Sequence, residues 1–231
     1  KFAEFGCRRR LSRKWFEQVV ETLSKLPNCV GTSNVYCAMK YGIKPIGTYA
    51  HEFVQMYQGI SKIPLAYTNY YAMKDWFAEY NGDNGTALTD TLTTDLFLLD
   101  FDYLQASTYT SLRHDSGDPY TWGDKVINHY KKLGIDPKTK GLLFSDSLNF
   151  DKAEKINDYF KDKIKVSFGI GTYCSNDTGK KALNIVIKLQ RVNSKPVAKL
   201  SDVEGKTMCP DEDYLRHLKE SVNYRVNIEG K

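Results

Sequence analysis

The sequence has no CxxC pair and no long apolar run, and each absence excludes a class of protein. Its five cysteines, at positions 7, 29, 37, 174 and 209, are odd in number, which argues against a disulfide framework or a zinc knuckle. We therefore expect reduced thiols in a cytoplasmic protein. Because no run of 18 apolar residues occurs, the sequence predicts no membrane span and no membrane partner.

The sequence also has little excess charge and no recognised nucleotide or nucleic-acid motif. The net charge is +5, from 33 basic and 28 acidic residues, and we expect no nucleic-acid partner. The GKT at 205–207 is not a P-loop, because Leu200 stands where that motif requires its first glycine. With 41% hydrophobic residues in 231, the composition is that of a globular protein large enough for one full core.

Seven short apolar runs dominate the first three quarters of the chain. They end in small or polar clusters and span residues 2–10, 29–34, 43–52, 85–91, 110–118, 142–147 and 166–172. Each of the first six leads into a probable helix, and this alternation predicts an α/β barrel of parallel strands. The carboxyl ends of such strands lie on one face, so we expect His51, Arg113, Asp115, Asp146 and the Gly169/Gly171 loop to meet there.

The C-terminal part has a different pattern. Alternating Ile185, Ile187 and Leu189 predict a β-hairpin over 183–201, and a helix follows over 211–220. We therefore predict a barrel core over 1–182 and a C-terminal hairpin and helix over 183–231. The chain begins at Lys1 inside a predicted strand, and we expect a preceding region in the intact protein.

Two features indicate either a phosphate site or ordinary structure. The densest basic patch comprises Arg8, Arg9, Arg10, Arg13 and Lys14, which form either a solvated helix start or a clamp for phosphate. Two glycines in SFGIGT follow a predicted strand, and their backbone amides suit an anion site or a tight turn.

The densest polar cluster is RHDSGDP at 113–119. Arg113 suits a carboxylate or phosphate, and Asp115 and Asp118 suit sugar hydroxyls or hydrated Mg²⁺. A turn explains DSGDP but not the Arg and His before it. A lone histidine such as His51 is most often structural; its chemical alternatives are acid–base catalysis and phosphorylation as a nucleophile.

Several of these segments together carry a resemblance to a known family. The segments EFGCRRR, GTSNVYCAMKYGIKPIGTYAHEF, LRHDSGDP, SFGIGT, LNIVIKL and VAKLSDVEGKTM resemble, in order, the nicotinate phosphoribosyltransferases. The resemblance covers the family's C-terminal barrel portion without its N-terminal domain. It implies the irregular α/β barrel of type II phosphoribosyltransferases, in a homodimer. The implied reaction joins nicotinate and phosphoribosyl pyrophosphate to give nicotinate mononucleotide and pyrophosphate, coupled to ATP hydrolysis with Mg²⁺, in NAD biosynthesis.

The resemblance also implies roles for individual residues. His51 is the histidine that becomes phosphorylated, and Asp115 acts in catalysis and faces the ribose hydroxyls. Substrate-binding roles fall on Phe5 (pyridine ring), Arg8 (phosphate or pyrophosphate), Arg113 (nicotinate carboxylate), Ser116, Asp146 (sugar), and Gly169, Gly171 and Thr172 (5′-phosphate). Ser33 favours nicotinate, because the nicotinamide-using enzymes have an Asp there. Cys7 departs from the family's usual Thr.

Two alternatives remain open on the sequence. One is a phosphoribosyltransferase of the same barrel class that uses nicotinamide or quinolinate. The other is a barrel fragment that binds a phosphosugar without catalysis. The sequence does not identify the metal ligands.

Overall fold

The computed structural model describes residues 1–203 and 205–230 and contains a six-stranded parallel sheet with helices around it. The strands are β1 (Phe2–Glu4), β2 (Cys29–Thr32), β3 (Thr86–Leu88), β4 (Ser111–His114), β5 (Gly141–Phe144) and β6 (Lys165–Ile170). Their order is β2-β1-β6-β5-β4-β3, and every pairing is parallel. All six carboxyl ends therefore lie on one side of the sheet, as predicted.

In the described residues up to 203, nine α-helices either connect these strands or follow the last of them. They are α1 (Arg13–Leu23), α2 (Val35–Tyr41), α3 (His51–Gln58), α4 (Thr68–Tyr80), α5 (Thr94–Asp100), α6 (Tyr103–Thr108), α7 (Pro119–Lys132), α8 (Phe150–Phe160) and α9 (Thr172–Ser175). Short polar residues start several of them. Ser12, Asn34, Asp118 and Asn149 each accept a backbone N–H from the first turn of the helix that follows. Such caps fix where the loops at the strand ends stop.

The central strands are buried and give the site a rigid support. Leu112, Leu142, Phe144 and Phe168 belong to one core cluster with side chains from the surrounding helices. Burial of one such side chain contributes about 1.5–3 kcal/mol. Short apolar runs without polar alternation are typical of strands covered on both faces.

The run at 43–52 was predicted as a strand, and this prediction is wrong. In the described chain its pairing is limited to one parallel bridge, between Thr32 and Pro45. Proline has no N–H and cannot continue a ladder. The segment instead spans the gap between the edge strands β2 and β3, and Thr48 accepts a hydrogen bond from Arg113 at 2.9 Å. The barrel is irregular because this segment, which pairs through a single bridge, stands where a further strand was predicted.

The hairpin predicted over 183–201 is wrong in extent. It is limited to β7 (Arg191–Val192) and β8 (Lys195–Pro196). Residues 183–190 are held by side-chain contacts to α3, including a hydrogen bond from Gln55 to the Leu189 carbonyl at 3.4 Å. Beyond the hairpin, Leu200 N–H donates to the Thr91 carbonyl at 2.8 Å. Alternation predicts an extended backbone but not the partner with which it pairs.

The predicted helix at 211–220 is longer than expected. Helix α10 (Glu212–Glu229) is anchored by Arg225, whose guanidinium lies 2.6 Å from buried Asp100 and donates to the Ala66 carbonyl at 2.6 Å. The division at residue 182 stays a prediction. Its C-terminal unit includes Glu204 and Lys231, which lie outside the described residues. Within 1–203 and 205–230, no helix combines the length and apolar character needed to cross a membrane.

Candidate active site

The polar side chains at the carboxyl ends of the strands form one connected cluster. Its centre is His51, the first residue of α3, whose Nε2 lies 2.9 Å from Asp90 Oδ1 and 3.7 Å from Asp115 Oδ2. Asp90 follows β3 and Asp115 follows β4. The predicted meeting of His51 with the β4 strand end is therefore confirmed, although His51 and Asp115 are far apart in sequence.

Asp90 is the most buried member of this cluster, with its side chain 1% exposed. Besides His51, it accepts hydrogen bonds on Oδ2 from Ser116 Oγ at 2.7 Å and forms an ion pair with Lys199 Nζ at 2.9 Å. Burial opposes ionisation of Asp90, but the hydrogen bonds and charges of these neighbours outweigh it and hold its pKa below the usual range. Asp90 is therefore an anion that fixes the other three side chains.

The contact with Asp90 sets the tautomer of His51. A carboxylate can only accept, so Nε2 carries the proton and Nδ1 is unprotonated, with its lone pair facing Lys188 Nζ at 3.4 Å. Burial lowers the pKa of His51; Asp90 opposes this effect, and Lys199 and Lys188 add to it. A neutral ring with an unprotonated Nδ1 is the form that can act as a nucleophile.

Arg113 links a second group of predicted site residues. Its guanidinium donates to Asp115 Oδ1 at 2.9 Å and to Ser145 Oγ at 2.8 Å, so its plane is fixed. Its Cζ lies 5.8 Å from the centroid of the Phe5 ring. An aromatic face beside a fixed guanidinium suits a flat aromatic acid, with the ring on Phe5 and the carboxylate on Arg113.

The ring of Phe5 is held in place by the backbone on which it packs. The backbone of Gly169 packs so closely that a Cβ there would clash with the Phe5 ring. The preceding residue, buried Glu4, accepts hydrogen bonds from Gly6 N–H and, at 2.6 Å, from Thr32 Oγ1. Burial raises the pKa of Glu4, and these two hydrogen bonds oppose that shift. The ring of Phe5 therefore lies on a backbone that tolerates only glycine at this point.

The other predicted residues lie on the same side of the sheet in different settings. Asp146 follows β5 and pairs with Lys206 at 2.9 Å. Ser116 is buried and donates to Asp90. Gly171 and Thr172 join β6 to α9, with the Gly171 carbonyl accepting from Ser175 Oγ at 3.3 Å.

Arg8 and Ser33 stand apart from the cluster. Both are exposed, and in the described part of the chain neither side chain makes a hydrogen bond or ion pair with it. The neighbouring basic residues have other partners: Arg13 pairs with Glu17 at 2.9 Å, and Arg9 donates to Asn184 at 3.3 Å. The predicted proximity of His51, Arg113 and Asp115 is therefore confirmed. The roles that the resemblance implies for these residues, for Arg8 and for Ser33 stay predictions.

Sequence reasoning missed the basic half of the cluster. Three lysines from the C-terminal segment each pair with a carboxylate: Lys188 with Glu52 at 2.8 Å, Lys199 with Asp90 and Lys206 with Asp146. Asp90 itself was also missed, although it lies in the GTALTDT run and follows β3 by the rule that identified Asp115. The motifs LNIVIKL and VAKLSDVEGKTM contain all three lysines, but the sequence pattern predicted only a hairpin over 183–201, and GKT at 205–207 was considered only as a P-loop and rejected.

One side-chain group in the described residues has the composition of a metal site. Ligand atoms of His51, Asp90 and Asp115 all lie within 4.8 Å of one another. Both oxygens of Asp90 already have partners, whereas Asp115 Oδ2 accepts no hydrogen bond among the described residues. Mg²⁺ prefers oxygen ligands and is usually held by one or two carboxylates together with substrate phosphates. The donor set therefore fits Mg²⁺ held by Asp115 with Asp90 beside it.

The buried neutral His51 predicts a pH dependence of stability. The unfolded state takes up a proton at His51 near pH 6.5, whereas the folded state does so only at lower pH. This contribution to stability is therefore present above about pH 6.5 and lost as the pH falls through the lowered folded pKa. Urea unfolding between about pH 5 and pH 8 should show stability rising with pH, less steeply in His51→Asn. A matched His217→Asn change, on the exposed face of α10, should keep the wild-type slope; equal slopes in all three proteins would contradict the prediction.

The sheet and its cluster of strand-end carboxylates, arginine and glycines are consistent with the type II phosphoribosyltransferase fold. The model of the nicotinate phosphoribosyltransferase (NAPRTase) family matches residues 1–226. The nicotinate phosphoribosyltransferase of Chromobacterium violaceum is 53% identical over 220 residues, which are 94% of this chain and 54% of that protein. The one of Herminiimonas arsenicoxydans is 50% identical over 226 residues, covering 97% and 57%. The chain belongs to the NAPRTase family.

Solved structures agree with this assignment. The nicotinate phosphoribosyltransferase structure from Vibrio cholerae superposes with a TM-score of 0.92 at 42% identity, covering 96% of this chain and 56% of that one. The structure from Porphyromonas gingivalis gives 0.87 at 40% identity, covering 100% and 59%. The chain thus spans a little over half the length of the relatives that it matches.

Proposed function

We propose that this chain carries the catalytic strand ends of a nicotinate phosphoribosyltransferase. The observation that carries the proposal is the Phe5–Arg113–Asp115 arrangement. The Arg113 guanidinium lies 5.8 Å from the centroid of the Phe5 ring and 2.9 Å from the Asp115 carboxylate. The ring and the guanidinium suit a pyridine carboxylate, and the carboxylate suits a ribose bound beside it. Nicotinate and phosphoribosyl pyrophosphate are the proposed substrates, and nicotinate mononucleotide and pyrophosphate the products.

The chemistry follows from charge. Displacement at ribose C1 places positive charge on the sugar, as in glycosyl transfer generally. The free Oδ2 of Asp115 supplies negative charge beside it, and Arg113 orients the nicotinate. The ring nitrogen of nicotinate already has a lone pair, so no general base is needed. Mg²⁺, held by Asp115 beside Asp90, would neutralise the charge that develops on pyrophosphate.

ATP coupling through His51 is the second part of the proposal. Support comes from the unprotonated Nδ1, the carboxylate that fixes the ring and the lysine charges around it. The lone pair of Nδ1 forms a bond to the γ-phosphorus of ATP, the bond to the bridging oxygen breaks, and ADP leaves with that electron pair. No proton moves at Nδ1 because it carries none.

The proposal extends to the setting of the reaction. We place the protein in NAD biosynthesis in the cytoplasm, as a homodimer, in line with the family that it belongs to. The exposed positions of Arg8 and Ser33 are compatible with contacts made only once substrate is bound.

The proposal predicts stabilisation by the sugar pyrophosphate. Thermal unfolding is measured with phosphoribosyl pyrophosphate and Mg²⁺, with ribose 5-phosphate, and with buffer alone. At about 100 times its dissociation constant, a ligand stabilises the folded state by about 2.7 kcal/mol. A larger shift with phosphoribosyl pyrophosphate than with ribose 5-phosphate supports a phosphate and pyrophosphate site on these strand ends. If neither ligand shifts the intact protein, the phosphoribosyl proposal is wrong.

A further inference from the structure

Lys188 is a partly buried cation to which the reaction described above gives no individual role. Its Nζ lies 3.4 Å from His51 Nδ1, the unprotonated ring nitrogen, and 2.8 Å from Glu52 Oε1. Glu52 is the next residue on α3. The amine thus faces the nucleophilic atom and is held there by the neighbouring carboxylate.

The surroundings of Lys188 distinguish it from a surface ion pair. Its side chain is only 15% exposed, whereas Ile187 beside it is 83% exposed. Segment 183–190 forms no helix or strand, so no ladder determines which side chains face inwards. Adjacent side chains of an extended segment face opposite ways, and here the lysine, not the isoleucine, is the one that lies against the histidine.

The charges around His51 divide into two sides. On the Nε2 side, Asp90 accepts the ring proton and is itself paired with Lys199. On the Nδ1 side, the nearest charges are Lys188 and its partner Glu52. A phosphoryl group that arrives at Nδ1 brings negative oxygens to the position that Lys188 faces, and an ammonium group is a strong donor to phosphate.

We propose that Lys188 positions the phosphoryl group that is transferred to His51 Nδ1, with Glu52 holding the lysine in place until the phosphate arrives. The ammonium group donates to the transferred oxygens. This inference rests on the proposed function, because it requires ATP as the phosphoryl donor. It assigns to the LNIVIKL segment a role that its apolar pattern did not predict.

The test follows acid-labile phosphate on the intact protein, supplied with [γ-³²P]ATP and Mg²⁺. We expect Lys188→Gln to slow labelling by at least about tenfold, as for the loss of one donor to a transferring group. Lys188→Arg should restore most of the rate, because it restores the charge. Lys195→Gln is the matched control, since this lysine lies nearby in β8 and its Nζ donates to Ser61 Oγ rather than to a group of the site.

The dependence of the labelling rate on ATP concentration separates positioning from a structural role. A lysine that holds the transferring phosphoryl group acts in the transition state, so Lys188→Gln should lower the maximal labelling rate more than it raises the ATP concentration needed for half of that rate. The inference is wrong if Lys188→Gln is labelled at the wild-type rate. It is also wrong if the Gln and Arg variants lose the same share of the labelling rate and both melt at lower temperatures than the wild type.

The wild-type protein and His51→Ala serve as reference arms. If the wild-type protein takes up no label, ATP coupling through His51 fails, and the inference on Lys188 fails with it. If the wild-type protein is labelled and His51→Ala is not, a negative result for Lys188 counts against Lys188 alone.

Discussion

Replacement of Asp90 by alanine is expected to lower the free energy of unfolding by about 3–5 kcal/mol, because it leaves a buried charge without its partner. The side chain of Lys199 is 7% exposed, and its ammonium pairs with Asp90 Oδ2 at 2.9 Å. The same change removes the acceptors of His51 and Ser116. Urea unfolding at pH 7 measures the loss, and phosphate labelling of the same variant should fall because the His51 ring is no longer fixed.

Two further variants test whether the loss of stability comes from the buried ion pair of Asp90 and Lys199. Asp95→Ala removes an aspartate of an exposed ion pair, with Lys125 at 2.7 Å, and should change stability by no more than about 1 kcal/mol. The double variant Asp90→Ala, Lys199→Met removes both charges of this pair. Since neither partner then leaves a buried charge uncompensated, much of the lost stability should return. A loss of less than 1 kcal/mol in Asp90→Ala, or no recovery in the double variant, would show that the buried pair does not hold the site together.

The sequence predicted the parallel sheet well because its strands are covered on both faces. GLLF and KVSFGI are short and apolar, follow the capped helices α7 and α8, and form β5 and β6 where expected. The exception at 43–52 has the same apolar character, but its Pro45 and Gly47 interrupt pairing. Apolar content indicates burial, whereas hydrogen-bond pairing depends on neighbours that are distant in the sequence.

The acidic half of the site could be predicted, and the basic half could not. Asp115 and Asp146 follow strands directly, and parallel topology alone brings them to one side of the sheet. Lys199 stands between alanine and leucine in an extended segment, where a lysine is ordinarily assigned to solvent. Its burial depends on the charge of Asp90, a partner that local sequence does not indicate. Apart from Asp90, which follows β3 by the same rule as Asp115, the site residues that sequence reasoning missed are therefore those whose position depends on long-range ion pairs.

On the proposed function, replacement of Asp115 by asparagine is expected to lower kcat/KM by about 10²–10³, the size of effect seen when one group that stabilises transition-state charge is removed. Asparagine keeps an oxygen that can accept from Arg113 Nη2 and Ser145 Oγ, as Asp115 Oδ1 does at 2.9 Å in both contacts. What it removes is the negative charge on the free Oδ2. The side chain is about one fifth exposed, so the melting temperature should stay close to that of the wild type.

Steady-state kinetics distinguish a catalytic role of Asp115 from a binding role. A loss confined to the transition state lowers kcat and kcat/KM equally, whereas a loss of ground-state binding raises KM with kcat unchanged. Asp118→Asn is the matched control in the same RHDSGDP cluster. Asp118 caps α7 by accepting from Thr121 N–H at 2.8 Å, and asparagine caps helices equally well, so this variant should keep wild-type kinetics. If Asp115→Asn retains kcat, or if Asp118→Asn loses as much, the carboxylate beside Arg113 is not the group that stabilises the charge on the ribose.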